Sequence, residues 1–171
     1  MNIQSKIIKK IFYLFLLLFS NSCVTKQNPI PPTLSEVGWL EQIEISPNNL
    51  LLHAKLDTGA DTCSVHAENI IKFKQDNEDW LSFEITNRYG VKEKLTLKII
   101  RYAKIKTKEF GFQIRPVVNI GVCLGSYFEN IECNLVDRSH FEYPVLIGRN
   151  YLAGTVLVNS SETYKTKPNC K

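Results

Sequence analysis

Residues 50–61 read Leu50-Leu51-Leu52-His53-Ala54-Lys55-Leu56-Asp57-Thr58-Gly59-Ala60-Asp61. The apolar start and the alternation through Ala54 and Leu56 predict a buried β-strand. The strand runs straight into Asp57-Thr58-Gly59, a turn sequence. Asp and Thr hydrogen-bond nearby backbone groups, and Gly59 accepts backbone angles that a side chain forbids. A carboxylate that activates water needs such a fixed, partly desolvated place. Read without its context, the same triplet is an ordinary Asx-type turn. A second segment, Val145-Leu146-Ile147-Gly148-Arg149-Asn150, is also an apolar run stopped by a glycine.

Around these two segments the chain reads as mostly β. Trp39–Ile45 alternates, and Ser46-Pro47-Asn48-Asn49 is a turn. Trp80–Thr86 and Val91–Ile100 flank the turn Asn87-Arg88-Tyr89-Gly90. Lys104–Arg115 carries a charged, Gly-bearing tip, Lys106-Thr107-Lys108-Glu109-Phe110-Gly111. Pro116–Val122 and Phe128–Val136 flank Leu124-Gly125-Ser126, a hairpin signal. Tyr143–Ile147 is a final core strand, Gly148–Leu152 a short helix and Val156–Val158 a last strand. His66, Ile70 and Phe73 fall at helical spacing, so a short helix is expected over Val65–Phe73. The expected fold is all-β, a closed or nearly closed barrel with one or two short helices.

The 171 residues suffice for one domain with a real core, and 44% hydrophobic with 22% charged residues is a globular composition. The formal charge of +4 includes Lys6, Lys9 and Lys10 and no acid within residues 1–22, so the remainder carries 4 − 3 = +1. That charge gives no reason to expect a nucleic-acid partner.

The N-terminus reads as a targeting segment. The three lysines form a basic region before the apolar run Ile11–Phe19, which is short for a bilayer span. Ser20-Asn21-Ser22-Cys23 follows. It resembles a bacterial lipobox, with Ser20 where Leu is usual. The expectation is a signal peptide over 1–22, then a Pro-rich tether over 23–36 acylated at Cys23, a domain over 37–160 and a polar tail over 161–171. That places the protein in the cell envelope, held to the membrane by its N-terminal lipid. A cleaved soluble export and an uncleaved anchor are the alternatives.

Cys63, Cys123, Cys133 and Cys170 remain. They allow three pairings in an oxidising compartment and lack zinc-type C-x-x-C spacing. Mostly buried free thiols are expected, with Cys123–Cys133 the leading candidate for a disulfide. Two other combinations are weak. Asp137-Arg138-Ser139-His140 contains the letters of a serine triad, but adjacent residues do not converge in space. Cys63 with His66 lacks an evident oxyanion hole.

The two glycine-stopped segments, taken as a pair, resemble the retropepsin-like aspartic proteases. The likeness extends to Gly38-Trp39, Asp57 through Ala67, Arg115-Pro116-Val117-Val118, Asp137-Arg138-Ser139 and Leu146-Ile147-Gly148-Arg149. Those blocks resemble the bacterial retropepsin-like family once labelled ATP-dependent zinc proteases, with a departure at Asp61, where that family commonly has Arg. The resemblance implies that Asp57 is the catalytic aspartate, that Thr58 grips its counterpart across a dimer axis and that Gly59 completes the motif. It implies an ion pair of Asp61 with Arg149 beneath the site. It also implies a flap over the substrate, formed by Thr107, Lys108, Glu109, Phe110 and Gly111. One such motif per chain implies a homodimer. The implied activity is an endopeptidase acting on a peptide or protein, with no cofactor and no metal: neither H-E-x-x-H nor a G-x-x-x-x-G-K-[ST] loop is present. Some relatives of the family resemble partners of ATP-grasp glutamate ligases, which points to amide bonds of unusual peptides. The rival readings are a non-catalytic peptide-binding envelope lipoprotein and a zinc-dependent hydrolase.

Overall fold

A computed structural model describes residues 34–106 and 111–170. Among these described residues, eleven strands and one short helix follow in chain order. The first five strands are β1 (Ser35–Ile45), β2 (Leu50–Leu56), β3 (Cys63–His66), β4 (Glu68–Gln75) and β5 (Glu78–Thr86). Then come β6 (Lys92–Lys98), β7 (Arg101–Lys106), β8 (Phe112–Leu124), β9 (Tyr127–Val136) and β10 (Val145–Ile147). Helix α1 (Arg149–Leu152) and β11 (Val156–Thr163) end the order.

Eight strands form one mixed sheet in the order β11-β1-β2-β10-β3-β9-β8-β7, and a further β1–β8 pairing closes six of them into a ring. A ring buries one face of every strand. Accordingly Ile43, Leu52, Ala54, Val65, Val118 and Ile147 are buried inside it, each large apolar side chain contributing about 1.5–3 kcal/mol. A second, three-stranded sheet, β4-β5-β6, buries Leu81, Phe83 and Ile85.

The closure decides where the site lies. Short β10 inserts between β2 and β3, parallel to β2 with Ile147 opposite Leu56, and antiparallel to β3. The ends of β2 and β10 therefore meet, which brings Asp57 beside Gly148.

Two expectations fail. No helix forms over Val65–Phe73: the segment is divided between β3 and β4. His66 pairs with Val136 and Phe73 with Trp80, and Ile70, Ile71 and Phe73 point largely to solvent. Strand pairing satisfied those backbone groups, and the helical spacing was incidental. The cysteines are not free thiols, nor does Cys123 pair with Cys133. Cys63 bonds Cys133 and Cys123 bonds Cys170. The physical reason is register: β3 runs parallel to β9 with Cys63 directly opposite Cys133.

The last strand continues past Val158 to Thr163 and pairs with β1. Residues beyond it lie against the domain through Glu41, which is fully buried in β1. One Glu41 carboxylate oxygen accepts the amides of Gly38 at 2.6 Å and Lys165 at 2.9 Å. The other accepts the Thr166 amide at 3.1 Å and its hydroxyl at 3.2 Å.

Candidate active site

The floor of the site is held by backbone. Asp57 N–H donates to Ile147 O at 2.9 Å, Arg149 N–H to Ala60 O at 2.8 Å and Asn150 N–H to Asp61 O at 3.1 Å. The two glycine-stopped segments thus interlock. Gly148 is required at the crossing, because a Cβ there would lie 2.8 Å from the Thr62 N, C and O atoms. Ala60 N–H donates back to Asp57 O at 3.2 Å, which closes the turn.

Asp57 is half-buried at the end of β2, and its Oδ1 accepts the Gly59 N–H at 2.9 Å. That bond fixes the carboxylate plane and leaves the other oxygen without a described partner. Thr58 and Gly59 are exposed at the tip. Arg149 Nη2 contacts Asp61 Oδ1, and its Nη1 donates to Thr58 O at 3.0 Å. The guanidinium therefore braces the underside of the turn. Helix α1, which carries Arg149, is seated by Tyr151, whose hydroxyl donates to Tyr127 O at 3.0 Å. Burial pushes that phenol up to about 12.

A cavity of about 350 Å³ opens at Asp57, lined also by Trp39, Lys55, Arg138, Tyr143 and Leu146. Its wall is the segment between β9 and β10, residues 137–144. Main-chain bonds hold part of this wall, with the His66 N–H donating to Pro144 O at 2.8 Å and the Phe141 N–H to Arg138 O at 2.8 Å, and side chains hold the rest. The Arg138 N–H donates to His66 Nδ1 at 2.8 Å, and the Ser139 N–H to Asp137 Oδ1 at 2.8 Å. Arg138 itself is buried. The sequence reads this stretch only as a false triad and does not single out Arg138. The signal available was the place of Asp137-Arg138-Ser139 among the blocks of the resemblance.

Of the flap residues, Gly111 is exposed at the start of β8, and Thr107, Lys108, Glu109 and Phe110 lie outside the described residues, as does Cys23. β7 and β8 pair antiparallel from Arg101–Val117 to Lys106–Phe112. Among the described residues, no three of His, Cys, Asp and Glu converge as metal ligands. Cys63, being in a disulfide, is not a thiol nucleophile for His66.

A ring of strands with an Asp-Thr-Gly turn seated against a glycine-stopped strand defines the retropepsin-like class. The chain belongs to the family described as RimB-like, retropepsin-like aspartic endopeptidase RimB, whose profile matches residues 36–169. A crystal structure of a Legionella pneumophila protein of unknown function is similar to it. The TM-score is 0.68 and the identity 31%, covering 78% of this chain and 98% of the other. Among curated proteins, a Shewanella halifaxensis protein named probable alpha-L-glutamate ligase is 33% identical over 116 residues, 66% of this chain. A protein of the same name from Parasynechococcus marenigrum is 29% identical over 117 residues, 67% of this chain. The chain spans about a quarter of the length of these relatives.

Proposed function

We propose that this protein is an aspartic endopeptidase that works as a homodimer, with two copies of Asp57 facing one another across the two-fold axis. The observation that carries this reading is the Asp57 carboxylate, oriented by the Gly59 amide and open to a cavity. Each chain holds a single Asp-Thr-Gly turn, and two-fold symmetry delivers a second carboxylate to the same point. Two carboxylates that close do not both ionise, so one keeps a proton.

The chemistry then follows. The ionised Asp57 takes a proton from water as the water oxygen bonds to the scissile carbonyl carbon. The protonated carboxyl of the partner gives its proton to the carbonyl oxygen. The tetrahedral intermediate then collapses: Asp57 passes the proton it took from water to the amide nitrogen, the C–N bond breaks, and a hydroxyl of the intermediate returns its proton to the partner's carboxylate as the new carboxyl group forms.

The relatives named as glutamate ligases suggest the substrate class: amide bonds of glutamate-containing peptides. The exposed Lys55 at the cavity mouth suits such a substrate. Two disulfides suit an oxidising compartment, in keeping with a cell-envelope protein anchored through acylated Cys23.

Replacement Asp57→Asn tests the reading. Cleavage of an oligoglutamate peptide should fall about a thousandfold, with the sedimentation coefficient still that of a dimer. Equal cleavage by the variant refutes the aspartic mechanism. Binding without cleavage by the wild-type protein favours a non-catalytic peptide-binding lipoprotein. Cys23→Ala should release the protein from membranes, and continued membrane association refutes the lipid anchor.

A further inference from the structure

We propose that Arg138 is the specificity-determining residue of this site: its guanidinium receives a carboxylate of the bound substrate in the cavity beside Asp57. The inference rests on the catalytic reading of Asp57 and goes beyond it by assigning a subsite.

Arg138 is only 7% exposed. Its guanidinium hydrogen-bonds neutral oxygens: Nε donates to Tyr143 O at 3.3 Å and Nη1 to Ser64 Oγ at 3.5 Å. Its face lies 4.5 Å from the centroid of the Phe141 ring. A guanidinium has five N–H donors, and here two are used, both in long bonds. Among the described residues, none of its hydrogen bonds goes to a carboxylate. Glu142, the cavity's second acid, accepts instead from the Tyr143 hydroxyl at 2.9 Å.

The arrangement behind Arg138 is built, not incidental. The Ser64 hydroxyl donates to Asn134 Oδ1 at 3.2 Å, and Arg115 Nη1 donates to the same oxygen at 3.1 Å. The Asn134 amide is anchored on Cys63 O at 2.7 Å. Two guanidinium groups thus share one neutral Ser–Asn bridge. Burial holds Arg138 below its ordinary range, and the neighbouring charge of Arg115 lowers it further. A buried cation without an anion is costly. Asp57 bears on Arg138 from across the cavity, but Asp57 is committed to the chemistry. A substrate carboxylate in bidentate contact supplies the missing charge. It comes from an acidic side chain or from the C-terminus of the peptide.

The test separates this subsite from catalysis. In the Asp57→Asn protein, calorimetry compares three probes: tetraglutamate blocked at both ends, the same peptide with a free C-terminus, and blocked tetraglutamine. Adding Arg138→Gln should weaken the glutamate peptides about 30-fold and leave tetraglutamine unmoved, with Arg138→Lys recovering part of the loss. Loss confined to the free C-terminus names the terminal carboxylate as the anchored group. Loss on both names the side chain. Unchanged glutamate binding, equal loss on all three probes, or no glutamate binding at all overturns the proposal. If Arg138→Gln does not fold, the Arg138 Nε–H resonance of the Asp57→Asn protein is the readout. It should shift with tetraglutamate and not with tetraglutamine; no shift overturns the proposal. Cleavage lost in Asp57→Asn while these tests fail leaves the catalytic reading standing.

Discussion

The floor and the wall of the site are built by different means. The floor, Asp57–Asp61 with Gly148–Asn150, is held by main-chain hydrogen bonds between two turns. The wall, residues 137–144, takes one main-chain bond from β3, His66 N–H to Pro144 O, and otherwise depends on side chains reaching it from β3 and β9: His66, Ser64 and, through Ser64, Asn134. A backbone-held floor tolerates exchange of exposed side chains but no added atom at the crossing. A side-chain-held wall is the reverse, and each polar partner counts.

Substitutions sharpen or break that contrast. The largest expected effect is at the seam below both regions. Removing the Cys63–Cys133 bond, which closes a separation of 70 residues, should cost about 4 kcal/mol, measured by urea unfolding of a double Cys→Ser variant. Next is the floor. Gly148→Ala places a Cβ against Thr62 main chain that has no room to give, and about 3 kcal/mol should be lost. For the wall, Asn134→Ala strands Cys63 O and frees Arg115, at about 2 kcal/mol; loss below 0.5 kcal/mol would break the idea that side chains hold it. Asp61→Asn should cost about 0.5 kcal/mol, because both partners of its ion pair are exposed, 49% for Arg149 and 84% for Asp61.

The smallest effect is one of pH. Burial holds His53 below its ordinary range, and Arg88 adds to this. The unfolded chain, with His near 6.5, then binds the proton first. Stability should fall as pH drops through about 6.5 and level off below the folded value. His53→Gln should flatten the slope of unfolding free energy between about pH 7 and 5, and an unchanged slope would assign it to other groups.

The contrast also explains what could be read from the chain alone. Asp57-Thr58-Gly59 and Ile147-Gly148-Arg149 were legible because main-chain turns have local residue requirements. Strands β2, β5 and the β8–β9 hairpin were legible through alternation and turn chemistry. Arg138 was not, since its contacts come from Ser64, 74 residues away, and its hydrogen-bond partners among the described residues are neutral oxygens. The Cys63–Cys133 bond was hidden for the same reason: it depends on the register of a parallel pair, β3 on β9. Ile70 and Phe73 misled because an exposed edge strand carries apolar residues with no period of its own.

Glu41 has a consequence for where this fold can be cut. Three of its four accepted bonds come from Lys165 and Thr166. A fragment trimmed at the end of β11 would keep every described strand yet leave the buried Glu41 carboxyl group inside the sheet with one amide for company. The smallest self-sufficient piece therefore extends at least to Thr166. With the Cys123–Cys170 bond as its clasp, it extends to Cys170.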